Sequence, residues 1–301
     1  MADQRKVRVT LRLPIASEPG SDPASLIDLA RRAEAAGFGA VSLSDHVVMG
    51  PRADRYPWGD FRFPPEAPWN EPLTMLTAIA ASTTGIQLTT GIVIVPLRPA
   101  VLLAKWAATI DVVSNGRLEL GVGTGWQMEE FDALGVDYSL RGQMLTDAIG
   151  ACRALWTGSP ASFHSPTVDF DEIWCDPKPV QPNGVPVLFS GTLNQRNKTR
   201  IVELGDGWIP IMTERRPGIA AGVQQLRELF EAAGRDPGDL RVRSTARVGS
   251  TISETLEKSQ ALVDVGVNDI DVPLSALHQV GVDDFFADAQ SALKEAGWAS
   301  R

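Results

Sequence analysis

The sequence predicts a (β/α)8 (TIM) barrel, and three observations carry that expectation. Strand-like and helix-like segments alternate about eight times, which is the pattern that builds a parallel sheet with helical crossovers. The 301 residues suit one such barrel with room for insertions, so a single domain over residues 1–301 is expected. The runner-up, a doubly wound open sheet, carries a Gly-rich fingerprint after its first strand, whereas Pro14-Ile15-Ala16-Ser17 stands there instead.

Val7 to Leu13 alternates apolar and polar residues and reads as the first strand; Asp22-Pro23 then forms an N-cap and N1 pair for a helix that runs to Ala36 and stops at Gly37. Ala40 to Leu43 is a short second strand. The stretch from Met49 to Asn70 is too long for a plain connection and is read as an insertion before a helix starting at Pro72. Gln87 to Val95 is a third strand, and Pro99 opens a helix that carries Val101, Leu102, Trp106 and Val112 to the Ser114-Asn115-Gly116 stop. Leu118 to Val122 is the fourth strand, followed by helical patterns over Gln127 to Leu134 and Arg141 to Trp156. A Pro-rich insertion, read as an ordered excursion, spans Ser159 to Pro186 ahead of the fifth strand. The last four units pair strands at Val187 to Ser190, Gly207 to Ile211, Leu240 to Val248 and Asp269 to Val272 with helices from Asn194, Pro217, Ser253 and Asp283.

Composition narrows the function classes. A formal net charge of -9 repels phosphate backbones and anionic lipid surfaces, so neither nucleic acid nor membrane is an expected partner. The N-terminal Met1 to Lys6 and the strand after it lack a signal-peptide apolar region, and no window reaches the roughly 18–20 apolar residues of a span, so the cytoplasm is expected. Cys152 and Cys175 lie far apart, without a partner pattern for zinc or a disulfide framework, and are expected to be buried thiols. With no HExxH, GxSxG or clustered metal ligands, an organic cofactor has to supply the reactivity and no metal is expected.

In a barrel of this kind the chemistry sits at the C-terminal ends of the strands. Ser44-Asp45-His46 follows the second strand, and an Asp-His pair there can donate or accept a proton near neutral pH; it also suits a plain turn with a packed histidine. Of the other two histidines, His164 falls in the insertion and His278 in the last loop. Thr89-Thr90-Gly91-Ile92-Val93 puts a glycine inside a strand, which marks either a bulge or a close ligand. Gly121-Val122-Gly123-Thr124-Gly125-Trp126 is a Gly-rich turn that lets backbone approach a flat ring or a phosphate. Phe189-Ser190-Gly191-Thr192 leads into a helix N-terminus, an arrangement that suits a phosphate; Arg196, Lys198 and Arg200 beyond it fit a solvated basic face. Tyr56, Trp58, Phe61, Phe63 and Trp69 crowd the loop 49–70, where a lid, an apolar pocket wall or a dimer contact would use the same residues.

Across essentially its whole length the chain resembles the luciferase-like superfamily of flavin and deazaflavin oxidoreductases. The resemblance rests on Ala33-Glu34-Ala35-Ala36-Gly37-Phe38 with Ser44-Asp45-His46, on Leu88 to Ile92, and on Pro99, Leu103-Ala104-Lys105 and Gly116-Arg117-Leu118. It continues through Gly121 to Trp126 and Gly205-Asp206-Gly207-Trp208. The combination with Glu129-Glu130-Phe131 is most similar to the actinobacterial branch assigned to coenzyme F-420. The resemblance implies a non-prolyl cis peptide near Gly91-Ile92, with Thr90, Gly91 and Ile92 buttressing the cofactor ring. By the same carry-over Asp45 and His46 lie at the reacting face, Thr124, Gly125 and Trp126 line the ring or its side chain, and Ser190, Gly191 and Thr192 hold the phosphate. In the sugar-phosphate branch a Glu follows Gly-Thr-Gly; here Trp126 stands there, which points to an apolar or aromatic small-molecule substrate. The implied reaction is hydride transfer with His46, oriented by Asp45, moving the proton. FMN in an oxygen-activating monooxygenase is the alternative, and a barrel that binds without turnover a further one. A homodimer and a cofactor-reducing dehydrogenase complete the expected partners.

Overall fold

Eight short runs of alternating residues set the architecture, because each strand sends one set of side chains toward surrounding helices and the other toward its neighbours across a closed ring. The computed structural model describes residues 7–277 and 281–298, so Met1 to Lys6 and His278 lie outside the described residues. The chain runs β1 (Arg8–Arg12), α1 (Pro23–Ala36), β2 (Ala40–Leu43), α2 (Pro72–Ala80), β3 (Gln87–Thr90), β4 (Val93–Ile94) and α3 (Ala100–Ser114). It continues through β5 (Leu118–Gly123), α4 (Met128–Ala133), α5 (Arg141–Thr157), β6 (Ala161–His164), β7 (Asp169–Ile173), β8 (Val187–Ser190) and α6 (Gln195–Glu203). The last elements are β9 (Gly207–Ile209), α7 (Arg216–Ala232), β10 (Arg241–Thr245), α8 (Ile252–Val263), β11 (Asp269–Pro273) and α9 (Val282–Ala296).

The sheet order is β3-β2-β1-β11-β10-β9-β8-β5-β4, and pairing of β3 with β5 closes it. Every barrel pairing is parallel, and β3 with β4 occupies one position, so the fold is a (β/α)8 barrel with insertions where they were expected. Local signals explain the element ends. Asp22 caps α1 by accepting the Ser25 N–H at 3.0 Å, and Gly37 ends it at φ 94°. The 159–186 insertion is ordered around the antiparallel β6–β7 pair.

One expectation is corrected. The third strand is not continuous: a cis peptide between Gly91 and Ile92 separates β3 from β4, which is the arrangement the resemblance implied at that place. On α3, which carries Val101, Leu102, Trp106 and Val112 as expected, these four side chains are exposed. The buried side of α3 is made of Leu103, Ala104, Ala107, Ala108 and Ile110, because small residues let it pack closely and the helix is apolar on every side.

The barrel interior is polar, and this reverses the simplest reading of strand alternation. Val9, Leu11, Val41, Leu88, Leu120 and Val122 join the core, while the alternate positions on the same strands include the polar or charged Arg8, Thr10, Arg12, Ser42, Thr89 and Glu119. Arg8 Nη2 donates to Glu119 Oε1 and to Asp269 Oδ2, each at 2.6 Å, and Arg243 Nε donates to the same Asp269 oxygen at 2.9 Å. Arg241 Nη1 donates to Glu119 Oε2 at 2.6 Å, and Arg243 also meets Glu119 and the Thr89 hydroxyl. Since β1, β5 and β10 are not adjacent, these side chains meet only through the inside of the ring. Burial works against the Glu119 charge, but Arg8, Arg243 and Arg241 overcome it and hold the carboxyl far below its ordinary range.

Candidate active site

At the C-terminal mouth of the barrel the polar interior opens into a cavity of about 570 Å³, a volume ordinary for a small-molecule site. Its floor continues the interior ladder: Arg12 donates Nε to Asp271 Oδ2 at 2.9 Å and Nη2 to the Thr245 hydroxyl at 2.9 Å, and both line the cavity along with Arg243. Its walls come from the loops that follow β2, β4, β5, β8 and β9.

The turn after β2 positions His46 at the wall with 8 % exposure. Its partner is Glu130, fully buried in the first turn of α4: His46 Nδ1 lies 3.0 Å from Glu130 Oε2, while Glu130 Oε1 accepts the Val47 N–H at 2.8 Å. A carboxylate only accepts, so Nδ1 carries the hydrogen and Nε2 is the nitrogen left for the cavity. Asp45 does not orient His46, contrary to the expectation. Arg98 Nη1 donates to Asp45 Oδ2 at 2.6 Å and Nη2 to Oδ1 at 3.0 Å, and the Ile94 N–H adds 2.7 Å to Oδ2. Both oxygens are therefore turned away from the imidazole. Burial pushes the Asp45 carboxyl above its ordinary range against the pull of Arg98 and the Ile94 N–H.

The aromatic loop forms one wall: Tyr56, Trp58, Phe61, Phe63 and Trp69 all line the cavity. The His46 ring meets Trp69, Phe61 and Trp126 edge-on, at centroid distances of 4.6, 5.7 and 5.9 Å. Trp126 also packs on Tyr56 at 5.1 Å and Phe61 at 5.2 Å, so the residue after Gly-Thr-Gly closes the aromatic wall from the β5 side. Gln127 ties this loop down by accepting the Gly50 N–H and donating to the Val48 carbonyl at 3.0 Å.

Of the remaining expected site residues, Ser44, Gly91, Ile92, Thr124, Gly125, Ser190 and Gly191 line the cavity. Thr90 does not: it is fully buried and its hydroxyl donates to the Gly121 carbonyl at 2.7 Å, because strand alternation turns it away from the mouth. Thr192 is exposed beyond Gly191 and does not line it either; its carbonyl accepts from the Asn194 N–H at 2.9 Å. Arg200 departs from the solvated basic face, since it is 7 % exposed. Cys152 and Cys175 are free and buried as expected, and burial pushes the Cys152 thiol up to about 12. Among the described residues no group of three or more His, Cys, Asp or Glu is placed to hold a metal, and no helix is long and apolar enough to cross a membrane.

Glu130, Arg98 and the Arg12–Asp271 pair were missed as site-builders. Glu130 has no pattern tying it to a histidine 84 residues away; only a carboxylate in the first helical turn after a barrel strand hints at it.

The family follows from this fold and sequence. The chain belongs to the luciferase-like monooxygenase family, whose sequence model matches residues 7–297. It is 35% identical over 224 residues to an uncharacterized protein of Mycobacterium tuberculosis, covering 73% of this chain and 77% of that one. It is also 32% identical over 229 residues to an F-420-dependent hydroxymycolic acid dehydrogenase of Mycobacterium tuberculosis, covering 73% and 57%. Among solved structures, an F-420-dependent secondary alcohol dehydrogenase superposes with a TM-score of 0.79 at 17% identity, over 97% of this chain and 99% of that one. A long-chain alkane monooxygenase gives 0.78 at 13% identity, over 98% and 93%. The family supports an oxidoreductase or monooxygenase that uses coenzyme F-420 or a flavin.

Proposed function

We propose that this chain transfers a hydride between coenzyme F-420 and a small apolar or aromatic substrate, with His46 handling the matching proton. The observation that carries the reading is His46 itself: pinned through Nδ1 by a buried carboxylate, it presents Nε2 to a cavity walled by aromatic rings and floored by a polar barrel.

The residues present fit a planar redox ring. A Cβ at Gly91 would meet nothing nearer than Ser42 Oγ at 3.7 Å, and one at Gly191 nothing nearer than Asn197 Nδ2 at 3.6 Å, so at both positions the backbone borders open space. Gly91, Ile92, Thr124 and Gly125 would hold the ring, and Ser190 with Gly191 at the N-terminal end of α6 would hold the phosphate. When bound, the deazaflavin supplies a ring carbon that gives or takes hydride and reacts poorly with oxygen. His46 holds or removes the substrate proton at Nε2, Glu130 fixes its tautomer, and the Trp69, Phe61 and Trp126 rings exclude water from that nitrogen. Trp126 in place of a carboxylate leaves the wall beyond Gly125 uncharged, which favours an apolar substrate over an anionic one.

The test is parallel titration of purified protein with F-420 and FMN, followed by fluorescence. Tight F-420 binding supports the reading, and FMN binding without F-420 binding overturns it in favour of a flavin monooxygenase. Steady-state turnover of His46→Ala then tests the proton role: an unchanged rate removes His46 from the chemistry.

A further inference from the structure

The floor of the cavity leaves one cationic donor unused. Arg12, the last residue of β1, sets Nε at 2.9 Å and also Nη2 on Asp271 Oδ2, and donates Nη2 to the Thr245 hydroxyl at 2.9 Å. Asp271 in turn accepts the Ser42 hydroxyl at 3.2 Å on its other oxygen. Two nitrogens held in this way fix the plane of the guanidinium, and with it the direction of the third. That third nitrogen, Nη1, meets no acceptor among the described residues, although the side chain is only 21 % exposed and lines the cavity. Arg243, the other arginine of the floor, differs: Asp269, the Thr90 carbonyl, the Thr89 hydroxyl and Glu119 take up all three of its nitrogens.

Tyr56 brings a second donor of this kind. Its ring is half-buried in the aromatic wall, and among the described residues its hydroxyl has no hydrogen-bond partner. Burial pushes the phenol up and the Arg12 charge pulls it back, so each lies within the other's field. The place of this corner in the ring decides what it can take. The turns suited to a planar cofactor and its phosphate belong to β3 with β4, β5 and β8, which follow one another around the barrel. Arg12, Thr245 and Asp271 stand on β1, β10 and β11, across the mouth from those turns, and His46 follows β2 between the two halves. The charge of Arg12 is already matched by Asp271, so Nη1 suits an uncharged oxygen, whereas a carboxylate placed there would also face the buried Asp271. A carbonyl oxygen has two lone pairs and can accept from Arg12 and Tyr56 together.

We infer that Arg12 Nη1, with the Tyr56 hydroxyl, is the specificity-determining site for an uncharged carbonyl oxygen of the substrate, anchoring the end that lies across the mouth from the phosphate turn. The inference rests on the functional reading above, which places the substrate in this cavity. It narrows the substrate class to an apolar or aromatic body that carries a carbonyl group toward the floor.

The experiment is a ligand-observed NMR titration of the purified full chain, as wild type, Arg12→Lys and Tyr56→Phe, with three probes of one shape. These are acetophenone, α-methylstyrene, in which a methylene replaces the carbonyl oxygen, and benzoate, which puts an anion there. The wild type should bind acetophenone about tenfold more tightly than either of the others, because only the ketone satisfies both donors without adding charge. Arg12→Lys keeps a cation on Asp271 but has no fork to offer a second acceptor, so it should lose most of that preference while α-methylstyrene changes less than twofold. Tyr56→Phe removes a hydroxyl that bonds nothing in the protein, so it folds and decides the matter if the lysine variant does not; it should lower acetophenone affinity about threefold and leave α-methylstyrene unchanged. Equal affinity of the wild type for acetophenone and α-methylstyrene, tightest binding of benzoate, no binding of any probe, or a folded variant that keeps the ketone preference overturns this site. The wild-type F-420 titration is read separately: its failure with the ketone preference intact removes the cofactor reading and leaves this site standing.

Discussion

His46 and Asp45 are neighbours in the chain and do different work. The imidazole keeps one nitrogen for the cavity, whereas both Asp45 oxygens are consumed by Arg98 and the Ile94 N–H. Substitutions should separate the two. His46→Ala should lower turnover by about 10²–10⁴-fold, the range for a lost general acid or base, with cofactor affinity nearly unchanged in a binding titration. Asp45→Asn leaves Arg98 buried beside an amide, with only the half-exposed Glu71 carboxylate at 2.8 Å, and should cost about 3–5 kcal/mol in urea unfolding. A variant of Asp45 that is fully stable yet inactive would restore it to the chemistry. Glu130→Ala should mimic His46→Ala in turnover, because an imidazole without its Nδ1 acceptor loses its fixed orientation, and restoring activity by Glu130→Gln would show that the hydrogen bond matters more than the charge.

Elements legible in the sequence were those whose ends carry chemistry of their own. Asp22-Pro23 and Gly37 bound α1, and Asn115 in the left-handed conformation ends α3, because caps and stops act within a few residues. The break between β3 and β4 is invisible to periodicity, since Leu88 to Val95 looks like one apolar strand, and only the family motif around Gly91 marks it. The buried face of α3 is illegible for a related reason: an all-round apolar helix gives periodicity nothing to choose between. The His46–Glu130 contact joins β2 to α4 through tertiary packing, and no local pattern encodes it. At this scale the Gly-rich turn after β5 is a spacing device. A Cβ at Gly123 would come 2.7 Å from Ile92 Cδ1, so Gly123→Ala must displace Ile92 at the cavity wall. Overpacking of that kind should cost about 1–3 kcal/mol and weaken cofactor binding together, measured by thermal unfolding and by titration; wild-type affinity in a folded Gly123→Ala protein would mean that Ile92 does not touch the ring.

The whole molecule is held around a charged axis. Arg8, Arg241 and Arg243 converge on Glu119, and Arg8 and Arg243 also share Asp269, so strands from opposite parts of the ring are joined through ions where an apolar plug could have stood. Such a network makes stability depend on pH in a definite direction. Glu119 is held far below its ordinary range in the folded state, so it binds a proton more readily once the chain unfolds. Its contribution is fully present above the unfolded carboxylate value of about 4.3 and is lost progressively as pH falls below it. Glu119→Gln removes the titration and leaves three guanidinium groups facing an amide. Urea unfolding at pH 7 should show a loss of about 3–5 kcal/mol, and the variant should be less sensitive than the wild type to acid between roughly pH 5 and pH 3. The barrel would then resemble one whose interior charges merely fill space only if the variant kept both the wild-type stability at pH 7 and the wild-type acid slope. Because Arg243 and Arg12 from this ladder also floor the cavity, the loss should reach the site: cofactor affinity falls along with stability, through the floor instead of through any residue at the mouth.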